Sequence, residues 1–277
     1  MADLEKVIAC FENNFISHGE LGASVSVWQH GEEILNLAHG WCEKEKQRAW
    51  TSETLVPVYS ATKGPASAVL LRELEKNGLT PESRVVQVWS DFPNDSASFE
   101  EMMSHQCGLS GLDQAASVYD FDAVISAVEA QEPSWDLGDG HGYHPRTYGF
   151  LLDQCVRLLS GDTLGGIWHK EIAQVLGIDL FIGLPDSEFS RVAKLYPGKM
   201  DKSELDSGFY KEFNQPGSLV KRAFSSPKGL HAVHEMNTPQ AWQSGLPAMG
   251  GVATASALAK FYQACIGNIE FFSEDVM

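Results

Sequence analysis

Apolar residues recur with two different periods in the first part of the chain. A helical period covers residues 3–17 and predicts an amphipathic helix. A period of two follows over 23–28 and returns over 34–38 after a turn at His30 and Gly31, which predicts a β-hairpin. The apolar positions of the helix are Leu4, Val7, Ile8, Phe11 and Phe15.

Helices dominate the prediction after the hairpin. A leucine-rich run over 66–76 ends just before Gly78, and a glycine after the last periodic residue is a common helix stop. Gly64 and Pro65 weaken the first turn, so residues 60–63 are expected to form a tight turn and not an ideal α-helix. Further helices are predicted over 98–105, 121–130, 147–159, 167–176 and 254–266.

The segment 185–250 differs from the rest of the chain because it shows little periodicity. It is rich in Gly and Ser and contains several prolines. A long irregular segment in a compact domain is usually functional or flexible. We therefore expect loops here. The prolines include Pro197, Pro216, Pro227, Pro239 and Pro247.

Composition narrows the class of protein. The 277 residues are 43% hydrophobic and 21% charged, which suits one large domain or two smaller ones with a full core. Lys and Arg number 20 against 37 Asp and Glu, giving a net charge of −17 and no basic run. This balance argues against a nucleic-acid partner or an anionic membrane as partner.

The N-terminus and the cysteines bear on the compartment. Residues 1–6 lack a basic segment followed by an apolar core, and no apolar run of about 18 residues follows. We therefore expect a cytoplasmic protein. The five cysteines are odd in number and lack a C-x-x-C pair, which is typical of reduced core residues.

Ser60 and Lys63 stand three residues apart where an extended segment gives way to a helix. A serine hydroxyl needs a nearby base to act as a nucleophile. Residues three apart on a helix share one face, so the Lys63 amine is expected beside the hydroxyl. Burial and the positive end of the helix dipole would lower the lysine pKa and leave the amine neutral. The pair therefore predicts acyl transfer through a serine.

A structural reading competes with this one, since serine is also a favoured N-cap. A capping box would place Glu or Gln at position 63, whereas the chain has Lys, the charge that a helix start disfavours. Two other Ser-x-x-Lys strings begin at Ser218 and Ser225. We expect no helix to follow either of them, so context and not spacing selects Ser60.

A second stretch rich in chemistry runs from Pro133 to Gly149 and contains two tyrosines. A phenol held near a neutral lysine can share a proton with it and relay the serine proton to a leaving group. Either tyrosine can equally be an ordinary half-buried aromatic residue. The tyrosines are Tyr143 and Tyr148.

From about residue 20 to its end, the chain resembles class C β-lactamases, family VIII carboxylesterases and their penicillin-binding-protein relatives. Ser60-Ala61-Thr62-Lys63 matches the first motif of this family. Residues 105–109, His-Gln-Cys-Gly-Leu, resemble its His-x-Ser-Gly-Leu with Cys in the Ser position. Residues 143–149, Tyr-His-x-x-Thr-x-Gly, are most similar to the esterase branch, and residues 254–262 resemble the helix before the final strands of the family.

The resemblance implies a serine hydrolase with Ser60 as acylated nucleophile, Lys63 as its base and Tyr143 as partner in proton transfer. It implies a small ester or amide as substrate and neither a metal nor an organic cofactor. Tyr143 is preferred over Tyr148 because its neighbours fit the motif. The β-lactamase form of the motif has Asn where this chain has Pro145, which argues against efficient β-lactam turnover. A β-lactamase or D-alanyl carboxypeptidase is the alternative with the same chemistry.

The chain departs from this family at its C-terminal end. The family places a Lys/His/Trp-x-Gly strand after the helix that here ends near Ile266, and that strand supplies one backbone N–H of the oxyanion hole. The printed sequence stops at Met277. Losing one such donor typically costs about 10² to 10³ in rate. We therefore expect one of three situations. The chain is a fragment, or it has reduced activity or none and serves as a binding protein, or another segment supplies the donor in place of that strand.

Other site types have weaker sequence support. Residues 108–111 miss the Gly-x-Ser-x-Gly elbow of α/β-hydrolases by one residue. The stretch from His231 to Glu235 suggests a pair of metal ligands for zinc, but it lacks the His-Glu-x-x-His order and a third ligand. The glycine-rich run 138–142 has no lysine of the P-loop type, so nucleotide binding is unsupported.

The sequence thus predicts an α/β fold of the β-lactamase/transpeptidase type, with an antiparallel sheet flanked by helices and a mostly helical lobe. Residues 1–78 and 245–277 are assigned to the sheet lobe, and 79–244 to the helical lobe with its irregular segment 185–244. The active site is expected in the cleft between the lobes. Its predicted wall residues are Tyr59, Trp242, Gly250 and Gly251.

Overall fold

The computed structural model describes residues 4–198 and 208–273, and it begins with the predicted helix and hairpin. Helix α1 (Leu4–Asn13) is extended by a π-helical turn, and strands β1 (Gly22–Gln29) and β2 (Glu32–Gly40) pair antiparallel. His30 and Gly31 both have positive φ, 53° and 81°, as the tight turn between twisted strands requires. The helix and the hairpin are confirmed.

A second, three-stranded sheet joins distant parts of the chain. Its strands β3 (Val56–Pro57), β4 (Leu180–Phe181) and β5 (Val252–Ala253) are antiparallel in the order β3-β5-β4. The pairing continues past β3, where the Val58 N–H donates to the Gly251 carbonyl at 2.9 Å. This small sheet therefore fixes the backbone immediately before Ser60.

Helices occupy most of the remaining chain. Helices α2 (Lys63–Lys76) and α5 (Thr147–Ser160) pack against each other, and both carry buried faces. The remaining helices are α3 (Phe99–Met103), α4 (Phe121–Glu129), α6 (Leu164–Ile167), α7 (Gln174–Leu176), α8 (Gly208–Asn214), α9 (Leu219–Ser225), α10 (Pro239–Gln243) and α11 (Ala255–Cys265). Shorter 3₁₀ segments cover Tyr59–Thr62, Val85–Gln87, Asp186–Arg191 and Val233–Asn237.

One large hydrophobic core unites the two predicted lobes. It includes Leu74, Leu151 and Phe261, all almost fully buried, and α11 packs on β1. Strand β4 lies within the segment 79–244, yet it pairs with β5 and so belongs to a sheet. The division into two lobes stays a prediction. No helix in the described ranges is long and apolar enough to cross a bilayer.

Two helix predictions need correction. The helix expected over 167–176 starts earlier, at α6, where Thr163 caps the Gly166 N–H, and a π-helical stretch, Trp168–Ala173, interrupts it before α7. The segment expected to be irregular contains α8, α9 and α10. Helices α8 and α9 are each seven residues long, and their rings pack on each other, so tertiary contacts form them without a visible period.

Candidate active site

Ser60 lies on the 3₁₀ turn Tyr59–Thr62, between β3 and α2. Tyr59 has φ of 48°, in the left-handed region that is rare for a bulky residue, and such strain is concentrated at functional sites. The buried Thr62 hydroxyl accepts the Gly251 N–H at 2.9 Å and so ties the turn to the strand beside it. The tight turn predicted before α2 is confirmed.

Lys63 is the first residue of α2, and its amine lies beside the serine hydroxyl. The distance from Nζ to Ser60 Oγ is 3.2 Å. The other two partners of Nζ are main-chain carbonyls, Pro145 O at 3.0 Å and Ala248 O at 2.9 Å. All three partners are uncharged. Burial without a compensating negative charge lowers the pKa of Lys63 to about 7.

The contacts of the amine suit a neutral base. A neutral amine has two N–H groups and one lone pair, whereas an ammonium has three donors and no acceptor. The carbonyls of Pro145 and Ala248 can only accept, so they engage the two N–H groups. The lone pair is then directed at Ser60, whose O–H can donate to it. In this protonation state the Lys63 lone pair lies 3.2 Å from the Ser60 hydroxyl, within hydrogen-bond reach of it.

A close approach of two backbones brings one of these carbonyls to Lys63. A Cβ built on Gly149, in α5, would lie 2.4 Å from the backbone nitrogen of Ala248. Real Cβ atoms essentially never come that close to backbone, so only glycine lets the 247–250 turn rest on α5. The glycine of the Tyr-His-x-x-Thr-x-Gly motif therefore serves the site through packing.

Tyr143 completes the group of three side chains. Its hydroxyl donates to Ser60 Oγ at 2.7 Å, and Lys63 Nζ lies 4.9 Å from its ring centroid. Its side chain is 43% exposed, so it faces the solvent side of the site. The structure brings together the three side chains that the sequence singled out, and their catalytic roles stay a prediction.

Tyr148 has a different environment, although its ring also lies near the lysine. Its hydroxyl pairs with Ser67 Oγ at 2.7 Å, and burial raises its pKa. Ser67 in turn donates to the Lys63 carbonyl at 2.8 Å, one turn along α2. Tyr148 thus ties α5 to α2 behind the lysine.

Two neutral histidines hold the loop that presents Tyr143. His144 Nδ1–H donates to the Gly142 carbonyl at 2.6 Å, and Nε2 accepts the Leu109 N–H at 3.0 Å. Burial lowers the pKa of His144 to about 3, which keeps this tautomer neutral. The His144 N–H donates to His105 Nδ1 at 3.2 Å, and the Gly142 N–H donates to the His105 carbonyl at 3.1 Å. Both neighbours of Tyr143 are therefore bound to His105.

Cys107 occupies the serine position of the family motif and lies 3.5 Å from His144 Nε2. A cysteine beside a histidine suggests a nucleophile, but only the thiolate is reactive. Cys107 is fully buried, and burial raises the pKa of its thiol to about 12. It is an inert packing residue.

A cavity of about 380 Å³ opens beside Ser60. Its lining is mainly apolar, and much of it comes from α8, α9 and the turn before β5. Sequence reasoning missed the apolar lining residues Phe213, Phe224 and Leu230, because they carry no motif and lie in the segment predicted to be irregular. The lining residues are Tyr59, Ser60, Tyr143, Pro145, Arg146, Phe213, Phe224, Ser225, Leu230, His231 and Met249.

Of the four predicted wall residues, only Tyr59 is among the described residues that line the cavity. Trp242 packs on Phe189 with ring centroids 5.4 Å apart, and its indole N–H donates to Met236 O at 2.7 Å. Gly250 and Gly251 are buried and, like Trp242, are not among the described residues that line the cavity. Their neighbour Met249 is.

The competing motifs have structural explanations. Ser218 caps α9 by accepting the Lys221 N–H, so our expectation that no helix follows it is wrong, and the motif there is a helix cap. Ser225 ends the same helix and donates to the Lys221 carbonyl. Glu235 accepts the N–H groups of His231 and Ala232 at 2.7 Å each, and so acts as a turn cap.

Comparison with known proteins identifies the family. Residues 5–273 match the Beta-lactamase family, and the chain belongs to it. It is 27% identical to the esterase/beta-lactamase LipL of Mycobacterium tuberculosis (strain ATCC 25618 / H37Rv) over 98% of this chain and 66% of that protein. The chain therefore spans about two thirds of the length of this curated relative.

Solved structures agree with this assignment. A penicillin-binding protein homologue from Caulobacter crescentus is 32% identical with a TM-score of 0.79, covering 96% of this chain and 71% of the other. A family VIII carboxylesterase is 28% identical with a TM-score of 0.80, covering 95% and 69%. The predicted β-lactamase/transpeptidase-like fold is confirmed.

Proposed function

We propose that the protein hydrolyses small carboxylic esters through an acyl intermediate on Ser60. The observation that carries this proposal is the position of Ser60 Oγ, which lies 3.2 Å from the Lys63 amine and 2.7 Å from the Tyr143 hydroxyl at the edge of a cavity. A nucleophile with a base and a proton donor in hydrogen-bond reach is the arrangement that acyl transfer requires.

The reaction begins when neutral Lys63 takes the Ser60 proton as Oγ attacks the ester carbonyl. The tetrahedral intermediate collapses, the bond to the alcohol oxygen breaks, and Tyr143 gives that oxygen a proton. Tyr143 recovers its proton from the Lys63 ammonium, so one proton has moved from Ser60 to the alcohol. Water then attacks the acyl group by the same steps in reverse, and the carboxylic acid leaves.

The carbonyl oxygen needs hydrogen-bond donors as it becomes negative. We assign one donor to the Ser60 N–H. The hydrogen bonds of the 3₁₀ turn begin at Ala61, whose N–H donates to Val58 O at 3.1 Å. The Ser60 N–H precedes this first bond, as the N–H groups at the start of a helix do. Each such donor contributes about 10² to 10³ in rate.

Two other functions are alternatives to ester hydrolysis, and one labelling experiment distinguishes all three. β-Lactamase activity is favoured by the name of the LipL relative, which includes both activities. Pro145 argues against it, since it stands where the β-lactamase form of the motif has Asn. A non-catalytic binding protein is the second alternative, and the reactivity of Ser60 decides between it and an enzyme.

Covalent labelling separates these functions. We expect a fluorophosphonate to add to Ser60 in the intact protein, as measured by mass spectrometry and peptide mapping, and penicillin to add little. Labelling by both reagents would favour the penicillin-recognising enzyme, and labelling by neither would favour the binding protein. Ser60→Ala should abolish labelling and the hydrolysis of p-nitrophenyl acetate.

Ser218→Ala is the matched control, because Ser218 has the same spacing to a lysine but serves as a helix cap. It should retain labelling at Ser60 and lose only about 0.5 to 2 kcal/mol of stability. Hydrolysis that survives Ser60→Ala would remove the proposed mechanism.

A further inference from the structure

Two aromatic side chains form a wall of the cavity that the chemical step does not use. Phe213 comes from α8 and Phe224 from α9, and their ring centroids lie 6.2 Å apart. Phe224 reaches the catalytic group, since its ring lies 6.4 Å from that of Tyr143. Leu230 and Met249 extend the apolar surface. An apolar chain on a substrate would therefore find a continuous surface next to Ser60.

Two polar side chains of this cavity form hydrogen bonds to the backbone. The Arg146 guanidinium donates to Pro227 O at 2.9 Å and to Gly229 O, and burial lowers its pKa to about 10. His231 Nε2 accepts the Gly229 N–H at 3.1 Å, and burial lowers the pKa of this imidazole, which favours its neutral form. A carboxylate held against the phenyl rings of this wall would lose its hydration, and the rings offer no hydrogen bond to replace it.

We propose that Phe213 and Phe224 select uncharged esters that carry an apolar alkyl or aryl chain. This inference rests on the proposed function and assigns the substrate class of the same site. A cavity of about 380 Å³ holds roughly a dozen water-sized groups at about 30 Å³ each. The ester group takes part of that space, so a chain of about six to eight carbons fills the remainder.

The test measures kcat/KM for two series of esters with the intact chain. One series lengthens the acyl chain from acetate to decanoate with a fixed alcohol, and the other lengthens the alcohol with a fixed acetyl group. In at least one series kcat/KM should rise by up to about fourfold per methylene. The increase should stop at about six to eight carbons, when the cavity is full. The series in which kcat/KM rises identifies whether the wall binds the acyl part or the alcohol part of the ester.

Variants assign the effect to the wall. Phe213→Ala should flatten the rise of kcat/KM with chain length, and Phe213→Leu should restore most of that rise. Tyr210→Ala is the matched control, because Tyr210 lies on the same helix but is not among the residues described as lining the cavity. It should leave the rise of kcat/KM with chain length intact.

A charged substrate tests the preference for uncharged esters. In the acyl series, a monoadipate ester has the chain length of a hexanoate ester but ends in a carboxylate. Its kcat/KM should be at least about tenfold lower than that of the hexanoate ester.

Failure of this inference is distinguishable from failure of the proposed function. Flat chain-length series with Ser60-dependent hydrolysis would overturn the inference alone, as would a rise that Phe213→Ala leaves unchanged. Absence of Ser60-dependent hydrolysis would overturn the function. The inference would then be decided by calorimetric titration of Ser60→Ala with acetamide and hexanamide. Tighter binding of hexanamide that is lost in the Ser60→Ala, Phe213→Ala double variant supports the apolar wall, and equal binding overturns it.

Discussion

The hydrolytic rate should follow the protonation of Lys63, because only the neutral amine accepts the Ser60 proton. The perturbation is a change in pH across neutrality. Burial lowers the pKa of Lys63 to about 7, and its three partners carry no charge that would oppose this shift. As pH falls through 7 the amine becomes protonated and the base is lost. The rate should therefore fall on the acid side and reach a plateau above neutrality.

The size of the effect follows from the pKa. With the ordinary lysine pKa of about 10.4, roughly 0.04% of the amine is neutral at pH 7, whereas a pKa of about 7 leaves about half neutral, a gain of about a thousandfold in active base. Between pH 6 and pH 8 the neutral fraction rises from about one tenth to about nine tenths. We therefore expect kcat/KM to increase about ninefold over this interval.

The assay is kcat/KM for a short-chain p-nitrophenyl ester from pH 5.5 to pH 9, a range taken around the Lys63 pKa of about 7. Product should be read at a wavelength where its absorbance is independent of pH. This parameter reports the pKa values of the free enzyme. Burial places the pKa of His105 near 4 and that of His144 near 3, so neither titrates in this window. His231→Gln is the control for the remaining histidine of the cavity and should leave the midpoint unchanged.

Two results would refute the reasoning. One is a midpoint above about pH 9, which would mean that Lys63 keeps its ordinary pKa. The other is a flat profile between pH 6 and pH 8 in a protein that Ser60→Ala inactivates. Lys63→Arg supplies a further control, because guanidinium stays protonated throughout this range. It should be inactive at every pH.

Two further predictions concern Tyr143. Tyr143→Phe should lower kcat by about 10² to 10⁴ with little change in KM, since it removes a proton donor and not a binding surface; Tyr148→Phe is the control, and an equal loss there would contradict the assignment. His144→Ala should lower kcat by up to about a hundredfold by releasing the loop that presents Tyr143. Because it acts through Tyr143, it should add little to Tyr143→Phe in a double-mutant cycle, and full additivity would exclude this role.

The sequence predicted the cluster of Ser60, Lys63 and Tyr143 better than the surroundings of that cluster. Ser60 and Lys63 are neighbours along the chain, so a motif and the helix after it were sufficient to place them together. Tyr143 is 80 residues further on than Lys63, and its assignment needed the family motif that surrounds it. The contacts explain why that motif includes a histidine and a glycine: His144 fixes the loop, and Gly149 lets another segment approach α5.

What the sequence did not predict has a common physical origin. The cavity wall comes from Phe213 and Phe224, on two short helices that pack through their rings, and seven residues are too few to show a period. The helix over 167–176 was misplaced for a related reason, since a π-helical stretch shifts the register of its apolar face. In both cases packing between elements overrides the local pattern.

The partners of the Lys63 amine suggest why no charged signature marks this site. A carboxylate at contact distance would favour the ammonium and raise the lysine pKa, which would remove the base. The carbonyls of Pro145 and Ala248 orient the two N–H groups without holding a proton on the nitrogen. Every residue has such a carbonyl, so substitutions at 145 and 248 that keep the backbone path should preserve the base. The neutral lysine therefore depends on the path of the backbone. A search of the sequence for charged partners of Lys63 would not detect this dependence.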